Sequence, residues 1–390
     1  MSRLEELIQQ HCPDGVEYKK LEECCQILDN KRKPITKGAR VAGEYPYYGA
    51  NGIQDYVADY IFDGKYVLVG EDGSVITSNG TPVVNWAEGK IWVNNHAHII
   101  SEKDGVLLRY LFHYLQTINI SPLIHGNIPK LTGGDFRALT IPVPPLPVQE
   151  EIVRILDNFA ELQAELQAEL QKRLQQYNYY RDNLFSFEGR TDVEWKKLGD
   201  VASIKTGRRF VRTDIRESGV PCFHYGDIYT YYGLTATTTK GYLDAELASK
   251  LRFAQPNDVV VVCAGENDMD IGVGVAWLGN EPAVAHDACC ILHHHQNPRY
   301  ISHFLRTHNY HLQIRRYVKN GKISSLPASG LAEAIIPIPS LEEQERIATI
   351  LDRFDALTTD LTAGLPAEIE ARRKQYEYYR DQLLTFKQKA

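Results

Sequence analysis

The sequence predicts an α+β protein made of two similar α/β bodies, each followed by a long helix. Two observations predict this fold class. Segments that begin at residues 16, 107, 141 and 176 recur in the same order from residues 193, 297, 336 and 375, at offsets of 177, 190, 195 and 199. Each copy also divides into a variable stretch with many turn residues and a tail of helical periodicity. The chain is therefore expected to be a pseudo-twofold internal repeat.

The repeated segments are long enough to exclude chance. VEYKKLE at 16–22 returns as VEWKKLG at 193–199, and LLRYLFHYLQT at 107–117 matches NPRYISHFLRT at 297–307. IPVPPL at 141–146 returns as IPIPSL at 336–341, and each is followed by a related helix start, QEEIVRILDNF or QERIATILDRF. QYNYYRDNLFSF at 176–187 matches QYEYYRDQLLTF at 375–386. Four ordered matches predict that the two halves fold alike.

Each body reads as short strands with one amphipathic helix. Apolar runs such as 66–69, 91–93 and 259–262 are separated by Gly, Asn and Pro, which is typical of strands and turns. Helical patterns near 107–117 and 299–309 complete an α+β body in each copy. Ser2 and Glu5 form a capping-box pattern that predicts a helix at the start of the chain.

Each tail reads as a long helix. The first starts near Leu146, and apolar residues recur at helical spacing in both copies. They are Ile152, Ile155, Leu156, Phe159 and Leu162 in the first, and Ile347, Ile350, Leu351, Phe354 and Leu357 in the second. A helix of about 40 residues cannot bury such a stripe against itself, so we expect the two helices to pack as an antiparallel coiled-coil pair. Gly364 and Pro366 are expected to kink or break the second helix.

A tandem tetrapeptide, AELQAELQAELQ, occupies residues 160–171 of the first helix. Each unit of these strong helix formers lengthens a helix by about 6 Å. The corresponding part of the second copy is four residues longer, as the offsets of 195 and 199 on its two sides require. We therefore interpret the repeat as a length-setting element. The expected segments are a first body at 1–145, a first helix at 146–187, a second body at 188–340 and a second helix at 341–390.

Composition limits the cellular setting and the chemistry. The 390 residues contain no run of 18 apolar residues and no secretory leader, which predicts a cytoplasmic protein without a membrane association. The seven cysteines are odd in number, include two adjacent pairs and form no C-x-x-C, which favours buried free thiols over disulfides or zinc. A net charge of −7 does not exclude nucleic acid, because a DNA-binding surface is a local patch.

These duplicated motifs resemble the specificity subunit of type I restriction–modification systems. The resemblance rests on the paired VEYKKLE/VEWKKLG starts, the paired IPVPPL/IPIPSL helix entries and the paired QYNYYRD/QYEYYRD helix ends, and it covers nearly the whole chain. It implies two target-recognition domains that each read half of a split double-stranded DNA site. It also implies two spacer helices that recruit modification (methyltransferase) subunits, two in number, with restriction (translocase and nuclease) subunits joining through the complex. The chain itself would be non-catalytic.

The motifs that would indicate an autonomous methyltransferase, a nuclease or a metal site are incomplete or wrongly spaced. NPRY at 297–300 lacks the second proline of the amino-methyltransferase loop, and no glycine-rich cofactor loop accompanies it. Pro13, Asp14, Glu17 and Lys19 are too close in sequence to form the nuclease carboxylate–lysine set on adjacent strands. The adjacent His293, His294 and His295 point in different directions on any regular element. The sequence therefore predicts no catalytic residues, no cofactor and no metal site.

Basic and aromatic residues remain as candidates for DNA contact. A basic loop follows the opening strand of each body, at 31–40 and again within KTGRRFVRTDIR at 205–216, and a third basic stretch precedes the second helix. Phosphates are bound by cations, while Arg, Asn, Gln and Tyr side chains read base edges. The predicted contacts in the first body are Lys31, Arg32, Lys33, Lys37, Arg40, Tyr47, Tyr48 and Asn51. In the second they are Arg208, Arg209, Arg212, His224, Tyr225, Tyr229, Arg315, Arg316, Lys319 and Lys322.

Two rival interpretations stay open from the residues alone. The chain is either a DNA-sequence-specificity subunit or a coiled-coil scaffold that binds only protein partners through its two bodies. An autonomous nuclease or methyltransferase is disfavoured by the missing motifs. Salt-dependent affinity for duplex DNA separates the first two interpretations.

Overall fold

A computed structural model of the chain describes residues 2–124, 126–266, 270–359 and 363–389. The chain forms two compact units: unit 1 comprises residues 1–165 and 370–390, and unit 2 comprises residues 166–369. Each unit therefore contains one globular domain, the start of the helix that follows that domain, and the end of the other long helix. The sequence repeat did not predict this exchange of helix ends between the halves.

The described part of the chain is rich in both helices and strands. The helices are α1 Arg3–His11, α2 Leu21–Cys24, α3 Leu108–Leu115, α4 Gly133–Ala138, α5 Leu146–Leu184, α6 Leu198–Val201, α7 Tyr225–Thr230, α8 Ala245–Ala248, α9 Pro298–Phe304, α10 His308–Arg315, α11 Ala328–Ala332, α12 Leu341–Thr359 and α13 Leu365–Leu383. The strands of unit 1 are β1 Glu17–Lys20, β2 Gln26–Ile27, β3 Ala42–Gly49, β4 Gly52–Val57, β5 Phe62–Gly70, β6 Val84–Val93, β7 Ala97–Ser101 and β8 Thr140–Val143. Those of unit 2 are β9 Glu194–Lys197, β10 Ala202–Thr206, β11 Val220–Phe223, β12 Thr235–Ala236, β13 Gly241–Leu243, β14 Phe253–Ala254, β15 Val259–Val262, β16 Ala264–Gly265, β17 Gly274–Trp277, β18 Ala283–Ala285, β19 Cys289–His294, β20 Ser324–Ser325 and β21 Ile335–Ile338.

The two domains share a central sheet. Its order is β2-β7-β5-β6-β3-β4 in the first domain and β10-β19-β15-β17-β12 in the second, and the first four strands of each correspond. A two-stranded ribbon, β1-β8 or β9-β21, joins the start of each domain to the segment before its long helix. The α+β architecture and the internal repeat predicted from the sequence are thus confirmed.

The far end of each sheet diverges. In the first domain β3 and β6 pair in parallel, with Tyr47 opposite Trp92 and Tyr48 opposite Val93. In the second domain β11 and β18 make the equivalent parallel pair, with Cys222 opposite Val284 and Phe223 opposite Ala285. There, however, the pair belongs to a separate four-stranded sheet, β13-β11-β18-β14. The second domain has therefore elaborated the region beyond the shared strands.

The long helices form as predicted. Helix α5 runs without interruption from Leu146 to Leu184 and contains the whole AELQ repeat. On the second copy, α12 ends at Thr359 and α13 starts at Leu365, in agreement with the helix-breaking effect expected of Gly364 and Pro366. The capping box between Ser2 and Glu5 at the start of α1 is present.

Burial along the helices differs from a simple buried stripe. Ile152 and Leu156 of α5 are fully buried in the core of the first domain, and Ile347 and Leu351 of α12 are buried in that of the second. Leu162 is nevertheless 47% exposed and Leu357 39% exposed. The starts of both helices thus belong to the cores of the domains. The expectation that the whole apolar stripe is buried in a helix pair is wrong at Leu162 and Leu357.

Two further expectations concern the cysteines and membranes. All seven cysteines are free and buried, as their pattern predicted. Among the described residues, no helix combines the length and apolarity needed to cross a membrane.

Candidate nucleic-acid interface

The first basic loop leaves the central sheet of its domain at a defined point. The Leu28 N–H donates to the Ile99 carbonyl at 2.9 Å, and the Lys33 N–H donates to the Val93 carbonyl at 3.2 Å. The loop of the second domain is fastened in the same way, since Gly207 N–H donates to the Cys289 carbonyl and Arg208 N–H to the Ala285 carbonyl. The two basic loops predicted from the repeat therefore occupy equivalent places in the two domains.

Two cations of the first loop are used internally. Arg32 donates to Glu71 Oε2 at 2.5 Å and to the Ala97 carbonyl at 2.7 Å, and its side chain is 12% exposed. Arg40 pairs with Asp55 Oδ2 at 3.2 Å and lies 4.2 Å over the Tyr47 ring. Arg32 is engaged by acceptors that are largely buried, and Arg40 by a carboxylate that is 40% exposed. Both guanidinium groups are used within the domain, so the assignment of Arg32 and Arg40 as DNA contacts is corrected to a structural role.

The tyrosines of the first domain are also structural. Tyr47 is buried, and its hydroxyl lies 3.0 Å from the Ile35 nitrogen and 3.3 Å from the Ile35 carbonyl oxygen. Tyr48 is buried in a neighbouring core cluster. Neither ring reaches the surface, so their prediction as groove-reading residues is corrected. The pattern of apolar and polar residues in this segment did not reveal that neighbouring strands bury both tyrosine rings.

Four of the predicted residues of the first domain are exposed: Lys31, Lys33, Lys37 and Asn51. The loop that carries the lysines is held rigidly, because Trp92 Nε1 donates to the Lys33 carbonyl at 2.6 Å and Tyr47 holds Ile35. Three ammonium groups on a fixed backbone form the charged surface of this domain.

A polar cluster beneath the first loop had not been predicted. Asp29, Glu71 and His98 place their ligand atoms within 4.8 Å of one another. The guanidinium of Arg32 and the ammonium of Lys130, 3.4 Å from Glu71, already balance the carboxylates. Asp29 also accepts from the Ile99 N–H at 2.9 Å and lies 2.7 Å from His98 Nδ1. These contacts indicate a network that fixes the loop.

The second loop carries exposed arginines beside a cavity. Arg209 and Arg212 are exposed and line a cavity of about 340 Å³ together with His224 and Tyr225. Arg208 is also exposed, but its Nη1 donates to the Lys250 carbonyl at 2.6 Å. His224 is buried, so its prediction as a surface contact is corrected, while Tyr229 is 38% exposed.

The third basic stretch reaches the same cavity. Arg315, Arg316, Lys319 and Lys322 are all exposed. Ile323, which follows Lys322, lines the cavity with Arg209, and the segment is held by the pairing of Lys319 with Ser325. The structure thus places the residue that follows the third basic stretch beside the second basic loop, more than 100 residues away in the sequence.

A second duplicated feature, which we call the domain–helix joint, fixes each domain to the helices. In the first joint Asp157 Oδ1 accepts from Arg109 Nε and from His113 Nε2, both at 2.8 Å, and Tyr376 hydroxyl lies 3.2 Å from His113 Nδ1. The fully buried imidazole of His113, on the domain helix α3, thus contacts both the start of α5 and the end of α13.

The second joint repeats these contacts. Asp352 Oδ1 lies 2.8 Å from His303 Nε2, Asp352 Oδ2 accepts from Arg299 Nη1 at 2.5 Å, and the Tyr177 hydroxyl lies 3.3 Å from His303 Nδ1. The ring contacts repeat as well: Phe159 lies 5.6 Å from Tyr379, and Phe354 lies 5.5 Å from Tyr180.

Electrostatics at the joints follow from burial. Burial lowers the pKa of His113 and of His303, although the aspartate opposite each one opposes the shift. Burial alone would raise the pKa of Asp157 and Asp352, but hydrogen bonds from the histidine and arginine hold both below the usual value. Neutral imidazole with the proton on Nε2 donates to the carboxylate and leaves Nδ1 to accept from tyrosine, so every polar group is satisfied.

Comparison with known proteins identifies the class. Residues 13–176 and 191–371 each match the family described as type I restriction modification DNA specificity domain. A putative type I restriction enzyme specificity subunit from Haemophilus influenzae is 36% identical over 391 residues, covering 95% of this chain and 96% of that protein. The EcoR124I/EcoR124II specificity subunit from Escherichia coli is 34% identical over 299 residues, covering 73% of this chain and 72% of that protein.

Solved structures agree on the fold. The type I S subunit from M. genitalium superimposes with a TM-score of 0.54 at 16% identity, covering 95% of each chain. A chain from a structure of type I R-M complex assembly and conformational transition gives a TM-score of 0.56 at 16% identity, covering 95% of this chain and 98% of that chain.

The fold and its duplicated loops define a non-catalytic, DNA-specifying subunit with two similar halves. The chain belongs to the type I restriction–modification DNA specificity family. It acts as the DNA-sequence-specificity subunit of such a system, so the scaffold interpretation is set aside.

Proposed function

We propose that each globular domain of this chain reads one half of a bipartite duplex site, and that the helices hold the two readings at a fixed separation. The domains are residues 1–145 and 188–340, and the spacer helices are residues 146–187 and 341–390. The observation that carries the proposal is the contrast between joints that repeat the same aspartate–histidine–tyrosine network and loops that differ. Two domains that are attached to the helices by the same network but read different base sequences would recognise a split, asymmetric DNA site.

The proposed DNA contacts are the exposed residues of the predicted set. In the first domain Lys31, Lys33 and Lys37 would bind phosphates, and Asn51 would read a base edge. In the second domain the corresponding set is Arg208, Arg209, Arg212, Tyr229, Arg315, Arg316, Lys319 and Lys322, together with the half-buried Tyr225 at the cavity. Cations that neutralise phosphates release counterions, so affinity would fall steeply with salt. Arginine at a base edge would pair with guanine.

The helices are the proposed docking surface for two modification subunits. Exposed apolar side chains recur in pairs at equivalent positions: Leu162 with Leu357 and Tyr179 with Tyr378, the tyrosines being 65% and 63% exposed. Exposed apolar residues that recur in both copies are typical of a protein interface rather than of a free helix. Two equal surfaces fit two copies of one partner. Restriction subunits would join through that complex, in the cytoplasm.

A salt titration of duplex binding tests the proposal. The full chain, alone and with its modification subunit, is titrated with a duplex that contains the mapped site and with a scrambled duplex. We expect preference for the site and a logarithmic affinity that falls linearly with logarithmic salt concentration. Equal affinity for both duplexes at every salt concentration would contradict sequence reading by this chain.

A further inference from the structure

The cavity beside the second basic loop has a composition that DNA phosphate binding does not need. Its wall contains the rings of Phe210, His224, Tyr225 and His286. Ring centroids of His224 and His286 are 4.8 Å apart, those of Tyr225 and His286 are 5.3 Å apart, and those of Phe210 and His286 are 5.0 Å apart. Four contacting rings give an aromatic wall to which a flat, unsaturated ligand can stack.

Polar groups around this wall are of mixed character. The Gly226 N–H donates to His224 Nδ1 at 3.3 Å, so neutral His224 carries its proton on Nε2 and is a donor there. Burial, with His286 and Arg212 nearby, lowers the pKa of His224 to about 4, which keeps the ring neutral at physiological pH. Glu266 and Asp287 also line the cavity and supply acceptors, and Asp287 Oδ1 lies 2.9 Å from His286 Nδ1.

The rim of the cavity carries two arginines beside the carboxylates of Glu266 and Asp287. Arg209 and Arg212 are exposed there, and Arg212 Nη2 lies 3.7 Å from Asp227 Oδ1. An aromatic wall with both donors and acceptors, bordered by guanidinium groups, matches a nucleobase that carries a phosphate. The volume of about 340 Å³ lies within the range of small-molecule sites.

Among the described residues of the first domain, no such wall stands at the equivalent place. The Asn94 N–H donates to the Tyr48 carbonyl in the first domain, and the His286 N–H donates to the Phe223 carbonyl in the second. With the parallel pairs already described, this places Asn94 opposite His286 in the repeat, and Gly49 and Ala50 opposite His224 and Tyr225. Three rings of the cavity are therefore additions of the second domain.

We propose that the cavity of the second domain binds one unstacked nucleobase, with its phosphate at the Arg209 and Arg212 rim. This inference rests on the proposed reading of DNA by this domain. The same chemistry is offered by a base extruded from bound duplex or by a free nucleotide, and the observations favour the duplex, because the rim arginines belong to the loop that recurs in both domains. An enzyme or reader that accepts an extruded base offsets the unstacking cost with stacking and hydrogen bonds in its pocket.

Fluorescence of 2-aminopurine tests this directly. The probe replaces each base of the second half-site in turn, in a duplex bound by the full chain with its modification subunit. We expect a rise in fluorescence at one position other than the methylated base. The variants His286→Asn and Tyr225→Ala should abolish that rise and weaken binding about tenfold, whereas Tyr231→Ala, which changes an exposed ring outside the cavity wall, should retain it.

The remaining outcomes are separable. Sequence-specific binding in a mobility shift with no rise at any position beyond the methylated base would overturn the inference and leave the proposed function intact. If the chain without substitutions showed no specific binding of the duplex, the proposed function itself would be contradicted. Deoxynucleoside monophosphates are titrated in parallel. If one of them binds, if His286→Asn abolishes that binding and if the duplex gives no fluorescence response, the cavity binds a free nucleotide. That result would overturn the proposal that the base comes from the duplex.

Discussion

The joints and the basic loops of this chain are both duplicated, yet only the joints are the same in both copies. At each joint one aspartate accepts from a histidine and an arginine, and a tyrosine from the other helix end completes the network. At the loops, by contrast, the first domain turns two arginines inward and the second surrounds a cavity with rings. Shared parts serve what the two halves do in common, and divergent parts serve what each half does alone.

Breaking both joints should give the largest effect. The double variant Asp157→Ala, Asp352→Ala removes the carboxylate acceptor of one buried histidine in each half, and of Arg109 in the first half, whereas Arg299 keeps its bond to Glu345. Each loss costs about 1–3 kcal/mol of unfolding free energy, and the two sites are independent. Urea unfolding of the single and double variants measures this. Asp157→Asn and Asp352→Asn, which keep an acceptor oxygen, serve as controls with smaller losses. A large loss at only one joint would show that the two are not equivalent.

Removing loop charges should affect DNA binding but not folding. Replacing Lys31, Lys33 and Lys37 with Ala should reduce the slope of logarithmic affinity against logarithmic salt by about 2–3 units. Arg208→Ala with Arg209→Ala should reduce it by about one to two units if both touch phosphate, and Arg208, whose guanidinium holds the Lys250 carbonyl, should contribute the lesser share. An unchanged slope would remove the residues concerned from the interface. Lys172, which is exposed on α5 and belongs to neither basic loop, gives a matched control.

Deleting one tetrapeptide should change spacing without changing either reading. Residues 164–167 are one unit of the repeat, and the boundary between the two compact units falls within them. Their removal shortens α5 by about 6 Å and turns the following helix by about 40°. We expect both half-sites to be kept and the unread spacer to shorten by one or two base pairs of about 3.4 Å each. Motif mapping in methylated DNA measures this, and an unchanged spacer at full activity would show that the repeat sets no length.

Acid should weaken the joints by a small amount. Because burial lowers the pKa of His113 and His303 in the folded chain, the unfolded chain binds more protons below about pH 6.5. Stability therefore falls as the pH drops from 6.5, with at most about 1.4 kcal/mol per pH unit for each histidine. The aspartates, with lowered pKa values, add a further loss only near and below pH 4. Urea unfolding from pH 7.5 to 5 measures the slope, and His113→Gln with His303→Gln should flatten it. A slope unchanged in that variant would assign the pH dependence to other groups.

The repeat made much of the fold predictable, since helical periodicity and turn residues are local signals. The helix α5, the interruption between α12 and α13 and the two equivalent basic loops all follow from such signals. The joints were not predicted, because Asp157 and Tyr376 are far apart in sequence and meet only in the folded chain. A signal was nevertheless present in the repeated helical segments: the arginine and the histidine recur at an offset of 190, the aspartate at 195 and the tyrosine at 199.

Individual DNA contacts were the least predictable part. Whether a cation faces solvent depends on carboxylates that other strands bring to it, as Glu71 does for Arg32. The burial of Tyr47 similarly depends on Trp92, which lies opposite it on a strand 45 residues away in the sequence. No local pattern records such partners.

Replacement of one domain tests the central claim most directly. Residues 16–140 are exchanged for the corresponding residues of another family member with a different mapped site, and the chimera is expressed with the modification subunit. Methylated motifs are then mapped across the genome for chimera and parent. If each domain reads its own half-site, one half of the methylated motif changes in the chimera, while the other half and the spacer length stay the same. A change in both halves, or in neither, would contradict the assignment of one half-site to each domain.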